Sequence, residues 1–163
     1  MKIDIEEILD SVKALLLADL NTKIAEIEAE KLAAGKGAVG GLAAVDAEAY
    51  FLQSWNEEIL NYHPAIFYGI ESQQAIPGPV TAVRANIFID VVFQDDGNRA
   101  DDTWRRVNRY VRAIKEVIEK NAEKISGASR LQVETVSPGS FRLALDSSEE
   151  IKVGGVAIAA SFV

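Results

Sequence analysis

The sequence predicts an α+β fold, a mostly antiparallel sheet packed by a long N-terminal helix and a second amphipathic helix. Apolar residues recur at helical spacing near the N-terminus and again in the middle of the chain. Alternating or continuous apolar segments lie before and after the second of these stripes. The order of helix, strands, helix and strands is typical of antiparallel α+β folds. A length of 163 residues suits one domain, predicted to span 1–163.

The first helix is predicted to begin after Asp4 and to end near Gly35. Asp4 and Glu7 have the spacing of a capping box. Alternating glutamates and lysines between Lys23 and Lys31 indicate an exposed outer face. The buried stripe is predicted to consist of Ile5, Ile8, Leu9, Val12, Leu15, Leu16, Leu20, Ile24 and Ile27.

The segment 35–46 is rich in glycine and is predicted to be a mobile loop that becomes ordered against a partner, because glycine loses much entropy on ordering. Lys36 and Val39 are its candidate contact residues. The segment is not a phosphate-binding P-loop, since Gly37 follows Lys36 where serine or threonine is needed and a helix precedes it.

The clearest strand is Val83–Phe93, which has an apolar residue at every second position. A shorter strand is predicted at 65–70. The second helix is predicted to begin at Asp101 or Asp102 and to end near Gly127. Its apolar stripe is predicted to consist of Trp104, Val107, Val111, Ile114 and Ile118.

The last third of the chain is predicted to be a β-meander. A strand at 131–136 leads into a turn at 137–140, whose Ser-Pro-Gly-Ser sequence favours chain reversal. A strand at 141–145 and a terminal strand at 153–163 follow.

Composition excludes several classes of function. The chain has no cysteine, which rules out disulfides, thiol catalysis and cysteine-ligated zinc. His63 is the only histidine and is predicted to be structural, since local sequence offers it no acid-base partner. The net charge of −8 disfavours binding to nucleic-acid phosphates. No apolar run is long enough to span a bilayer, and the acidic N-terminus does not resemble a secretory signal, so we expect the protein to begin in a cytoplasm.

Three groups of charged residues are candidate sites. Arg105, Arg109 and Arg112 share one side of the second helix and form either a solvated face or a docking face for an acidic neighbour. Asp90 with Asp95 suggests a carboxylate enzyme, but no nucleophile, metal or cofactor accompanies the pair. The third group consists of Asp95, Asp96, Asn98, Asp101 and Asp102. Turn formation and helix capping explain these residues better than a cation site does.

Taken together, four segments resemble the tail terminator and head–tail joining proteins of long-tailed bacteriophages. They are the opening amphipathic helix, Pro64–Phe67, the long strand Val83–Phe93 that leads into a helix, and the closing segment Glu150–Ile158. The resemblance covers roughly residues 5–163 and lies in the order and texture of the elements.

This resemblance implies a structural virion protein of the tail or neck that is made in the bacterial host cytoplasm and is not an enzyme. Such proteins form a ring, commonly a hexamer, that caps the tail tube and provides the head-docking surface. The implied partners are further copies of the chain, the major tail (tube) protein and a head–neck connector protein. No cofactor and no membrane is implied. The alternatives are another neck protein, such as a head-completion or stopper protein, and a non-viral protein-binding module.

A ring of this kind implies two further expectations, one about DNA and one about contacts between subunits. DNA is expected to pass through the ring without specific binding, along an acidic inner wall. Asp95, Asp96, Glu149 and Glu150 are candidates for that wall and for interface contacts. The strand Val83–Phe93 and the terminal strand are expected to extend strand pairing between subunits.

Overall fold

The computed structural model describes residues 4–36, 42–52, 64–78, 82–95, 100–125, 130–142 and 150–162. The elements are α1 (Ile5–Ala33), β1 (Tyr50–Leu52), β2 (Ala65–Ile76), β3 (Ala82–Asp95), α2 (Ala100–Lys120), a 3₁₀ turn (Ala122–Lys124), β4 (Arg130–Arg142) and β5 (Glu150–Phe162). The predicted α+β class is confirmed, with two helices beside a five-stranded sheet. No helix in these ranges combines the length and apolarity needed to cross a membrane.

The sheet has the strand order β1-β2-β3-β5-β4. Only β1 and β2 pair in parallel, and the other three pairings are antiparallel. Because β3 and β5 are each paired on both sides within the chain, neither has a free edge. The expectation that these two strands extend pairing between subunits is therefore wrong. In the described sheet, the outer strands are β1 and β4.

One face of the sheet is covered by α2. Gly154 of β5 is registered with Val91 of β3 and lies beneath the helix. A Cβ added at Gly154 would lie 2.6 Å from a methyl carbon of Val107 and 2.6 Å from one of Val111. The Phe93 and Tyr110 rings meet further along, with centroids 5.6 Å apart. The glycine thus sets how closely α2 approaches the sheet.

Helix α1 packs against α2 and contributes to the same core. The Asp4 side chain caps its N-terminus by accepting a hydrogen bond from the Glu6 N–H at 3.0 Å. At the other end Gly35 adopts φ of 68°, and the Gly35 and Lys36 N–H groups donate to the Leu32 and Lys31 carbonyls at 3.0 and 2.9 Å. This is the Schellman arrangement, so the predicted stop at Gly35 is correct. The buried residues of the stripe are Ile8, Leu9, Val12, Leu16, Leu20, Ile24 and Ile27.

Both helices lie on the same side of the sheet and run antiparallel to one another. Tyr68, on the helix-facing side of β2, is buried, and its burial and secondarily the charge of Asp10 in α1 raise its pKa. Near the end of α2, Asn121 is 1% exposed and donates from Nδ2 to the Asp19 carboxylate at 3.1 Å. Near the middle of α2, Arg109 contacts Glu28, so the contacts run in opposite directions along the two helices.

Three local predictions were wrong. The segment 137–140 is not a turn between two strands, since β4 continues through it with a register irregularity between Val136 and Gly139. Helix α2 ends at Lys120, where a 3₁₀ turn follows, and Gly127 lies outside the described residues. Trp104 was predicted in the core stripe, but it is 37% exposed.

Candidate functional site

The three arginines of α2 have different surroundings. Arg109 is buried, with its side chain 9% exposed. Its Nη1 donates to Glu28 Oε1 at 2.6 Å, and its Nη2 donates to the Lys36 carbonyl at 3.0 Å. Arg109 therefore joins α2 to the C-terminal end of α1 within the chain. The outer face predicted for the first helix does not include Glu28, which is turned towards α2 and is 18% exposed.

Arg112 lies one turn further along α2 and is bound by two carboxylates. Its Nη1 and Nη2 donate to the two oxygens of Glu30 at 2.9 and 2.7 Å, and its Nε donates to Glu116 at 2.6 Å. The hydrogen bonds from Arg112 lower the pKa of Glu30 to about 2. Arg109 and Arg112 thus have carboxylate partners in their own chain, and their predicted role in subunit or tube contact stays a prediction.

Arg105, the first arginine of the row, is exposed and lies at the mouth of a cavity between α1 and α2. The cavity has a volume of about 340 Å³ and is lined by Lys31, Lys36, Arg105, Asn108 and Arg109. The structure thus brings Lys36 together with two of the predicted arginines. Sequence reasoning named these residues but gave no sign that they enclose a cavity, because the spacing of α2 says nothing about where α1 ends.

The predicted mobile loop at 35–46 is fixed where the structure describes it beyond Lys36. The Asn21 side chain binds Val45 twice, accepting from its N–H at 2.8 Å and donating to its carbonyl at 2.9 Å. The Tyr110 hydroxyl donates to the Ala43 carbonyl at 2.8 Å, and the Val45 side chain is buried. Residues 42–46 are therefore packed against both helices. Val39 lies outside the described residues.

The acidic candidates are only partly described. Asp95 ends β3 and Glu150 begins β5, and the two are registered partners on adjacent strands. Asp96 and Glu149 lie outside the described residues, as do Asn98 and His63. The acidic inner wall stays a prediction. In the described part of the chain, no three side chains of the metal-binding types converge.

The carboxylate pair weighed as an enzyme site is not brought together. Asp90 and Asp95 lie five residues apart on one continuous strand, which separates their Cα atoms by about 17 Å at the usual rise per residue. Asp90 is instead registered with Phe67 and Gly155, on the sheet face away from α2. Its burial, and secondarily the charge of Glu71, raise its pKa to about 6.

The raised pKa of Asp90 predicts a pH dependence of stability. Between about pH 4 and pH 6 the folded protein holds a proton that the unfolded chain has lost, so stability falls as the pH rises through this window. We expect the wild type to lose about 1–2 kcal/mol relative to Asp90→Asn across it, a value reduced for the partial solvation of the group. Urea denaturation of both proteins at pH 4 and pH 7 measures the difference. A constant gap between the two proteins would contradict the assignment.

Comparison with known proteins adds no relative to these observations. No protein-family model matches the chain, and no curated protein matches its sequence at a significant level. What the protein does is accordingly inferred from its own residues, fold and charges.

Proposed function

We propose that the protein is a structural component of a long-tailed phage that caps the tail tube as a ring and offers the surface on which the head docks. The order of elements carries this proposal. A long N-terminal helix is followed by β2, by the long β3 that precedes α2, and by a closing pair of strands, which is the order on which the resemblance rests. A ring requires each subunit to contact two neighbours through different surfaces.

The two faces of the molecule present different side chains. On the helical side, several exposed charges have partners in the same chain, as in Arg112 with Glu30 and Glu116 and in Lys115 with Glu119. Such a face is suited to solvent, because its charges gain little from a further partner. The sheet face away from the helices instead carries half-buried Phe88, Ala157 and Ala159, with exposed Arg84 and half-buried Asp90 on the same side of β3 as Phe88. We assign contact with neighbouring subunits or the tube protein to this sheet face.

The net charge supports a ring through which DNA passes. At −8 the chain repels phosphates overall, and binding of double-stranded DNA is expected to be negligible at physiological salt. The proposed partners are further copies of this chain, the major tail protein below and a head–neck connector protein above.

Electron microscopy of assembled tails tests the proposal. Tails assembled with the protein are expected to end in an additional ring, and labelled protein is expected to localise to that end. Tails from which the protein is absent would contradict the proposal. Location within the neck, beyond the tail end, would favour a head-completion or stopper protein. A stable monomer that never joins a tail would favour a protein-binding module.

A single substitution tests the assigned face. Ala159→Glu places a charge among half-buried residues of the sheet face, and we expect tail completion to fall by about tenfold or more, because an unpaired charge at a contact costs more than about 1.4 kcal/mol. Ala14→Glu, the same change at an exposed position of α1, is the matched control and is expected to act like the wild type. Circular dichroism checks that both variants fold. If both variants gave the same yield of completed tails, the sheet face would have no part in the contact.

A further inference from the structure

The cavity between α1 and α2 differs in charge from the rest of the molecule. Of the described residues that line it, four are cationic and the fifth, Asn108, presents an amide. The chain as a whole carries 25 acidic and 17 basic residues. Like charges repel one another at short range. A cluster of cations at one cavity wall is therefore unusual in a protein that is acidic overall.

Carboxylates within the chain neutralise only part of this cluster. Arg109 is bound by Glu28, and Lys31 lies 3.4 Å from Glu30, which also binds Arg112. Among the described residues, no carboxylate lies within ion-pair distance of the Arg105 guanidinium or of the Lys36 ammonium. The cavity wall therefore carries two positive charges without a partner in the described part of the chain.

The wall is also held in place before any ligand binds. Arg109 is fixed between Glu28 and the Lys36 carbonyl, so that the backbone at Lys36 is tied to α2. The Lys31 and Leu32 carbonyls at the end of α1 accept hydrogen bonds from the Lys36 and Gly35 N–H groups, which further fixes the backbone of this segment. The backbone that carries Lys36 therefore keeps its place relative to α2, so that binding there orders side chains only.

We propose that this cavity binds an oxyanion group, a phosphate or a carboxylate, through the Arg105 guanidinium and the Lys36 ammonium, with Asn108 as a further donor. Arginine and lysine side chains are the usual partners of both groups in proteins. A volume of about 340 Å³ is at the lower end of the range for small-molecule sites, which suits an anionic group carried on a small molecule or on one side chain of a partner. This site is independent of the ring proposal and would exist in a free monomer.

Titration followed by nuclear magnetic resonance tests the site on the full chain. Inorganic phosphate and N-acetylglutamate are added separately to the wild type, to Arg105→Gln and to Lys124→Gln, with the backbone amides of Lys36 and Asn108 as reporters. Lys124 is an exposed cation beyond the far end of α2 and serves as the matched control. Saturable shifts are expected in the wild type and in Lys124→Gln. In Arg105→Gln we expect binding to weaken by about tenfold or more, the usual contribution of a charged hydrogen bond.

The outcome identifies the class of ligand or overturns the site. Tighter binding of phosphate assigns a phosphate group, and tighter binding of N-acetylglutamate assigns a carboxylate. Binding should also weaken when salt rises from about 0.01 M to about 1 M, which shortens the screening length from about 30 Å to about 3 Å. Absence of saturable shifts for both anions, or equal binding to the wild type and to Arg105→Gln, would overturn the proposal.

Discussion

Replacing Arg109 with methionine is expected to lower the free energy of unfolding by about 3 kcal/mol, the lower end of the range for breaking a buried ion pair. The change leaves the Glu28 carboxylate, 18% exposed, without its cation and the Lys36 carbonyl without its donor. Methionine keeps the length of the side chain, so that most of the loss comes from the stranded polar groups. Urea denaturation at pH 7 measures it.

Two control variants separate this effect from the loss of a charge. Arg105→Met removes an exposed arginine from the same helix and is expected to change stability by less than about 0.5 kcal/mol. The double variant Arg109→Met with Glu28→Met removes both partners and is expected to recover most of the loss, since apolar replacement of a whole buried pair is often neutral. If Arg109→Met and Arg105→Met unfolded at the same urea concentration, the pair would have no structural role.

Gly154→Ala is expected to lower the free energy of unfolding by about 2–3 kcal/mol, as overpacking of a core usually does. The new Cβ would lie 2.6 Å from methyl carbons of Val107 and Val111, both buried on α2. Neither valine can rotate far, because β-branched side chains in a helix have one strongly preferred rotamer. The helix itself must move away from the sheet, and thermal unfolding should report a lower midpoint.

Gly69→Ala is the matched control, since it makes the same change in another strand of the sheet, β2. Its new Cβ would lie 2.9 Å from Cε1 of Phe88, a half-buried ring that can swing aside. We expect a loss below about 1 kcal/mol, partly offset by the lower entropy of the unfolded alanine chain. Equal losses for the two variants would show that the approach of α2 does not depend on Gly154.

The long elements could be predicted because their signals are local. The stripe of α1, its glycine stop and the alternation of β3 each arise from residues a few positions apart, and each is present in the structure. The turn predicted at 137–140 was wrong for a related reason. The proline and glycine of this segment do favour chain reversal. However, β4 pairs with β5 both before and after them, and the two residues lie at an irregularity in the register of β4.

The site could not be predicted because its contacts are distant in sequence. Helical spacing showed that three arginines share one side of α2, but it could not show that Glu28, 81 residues earlier, binds one of them. The glycines of 35–46 indicated mobility, yet the Asn21 side chain binds Val45, which lies 24 residues further along the chain. An asparagine in the middle of a helix was the one available hint, since that residue often binds backbone groups.

The contacts between the two helices also determine when, during synthesis of the chain, α1 can pack against α2. Asp19 and Asn121 are 102 residues apart in the chain. A ribosome that adds about 5–20 residues per second would make α1 about 5–20 s before the end of α2 exists. During that time the stripe from Ile8 to Ile27 lacks the surface of α2 that it contacts in the folded protein. Slower synthesis would lengthen the time for which this apolar stripe is exposed and would favour aggregation of the nascent chain.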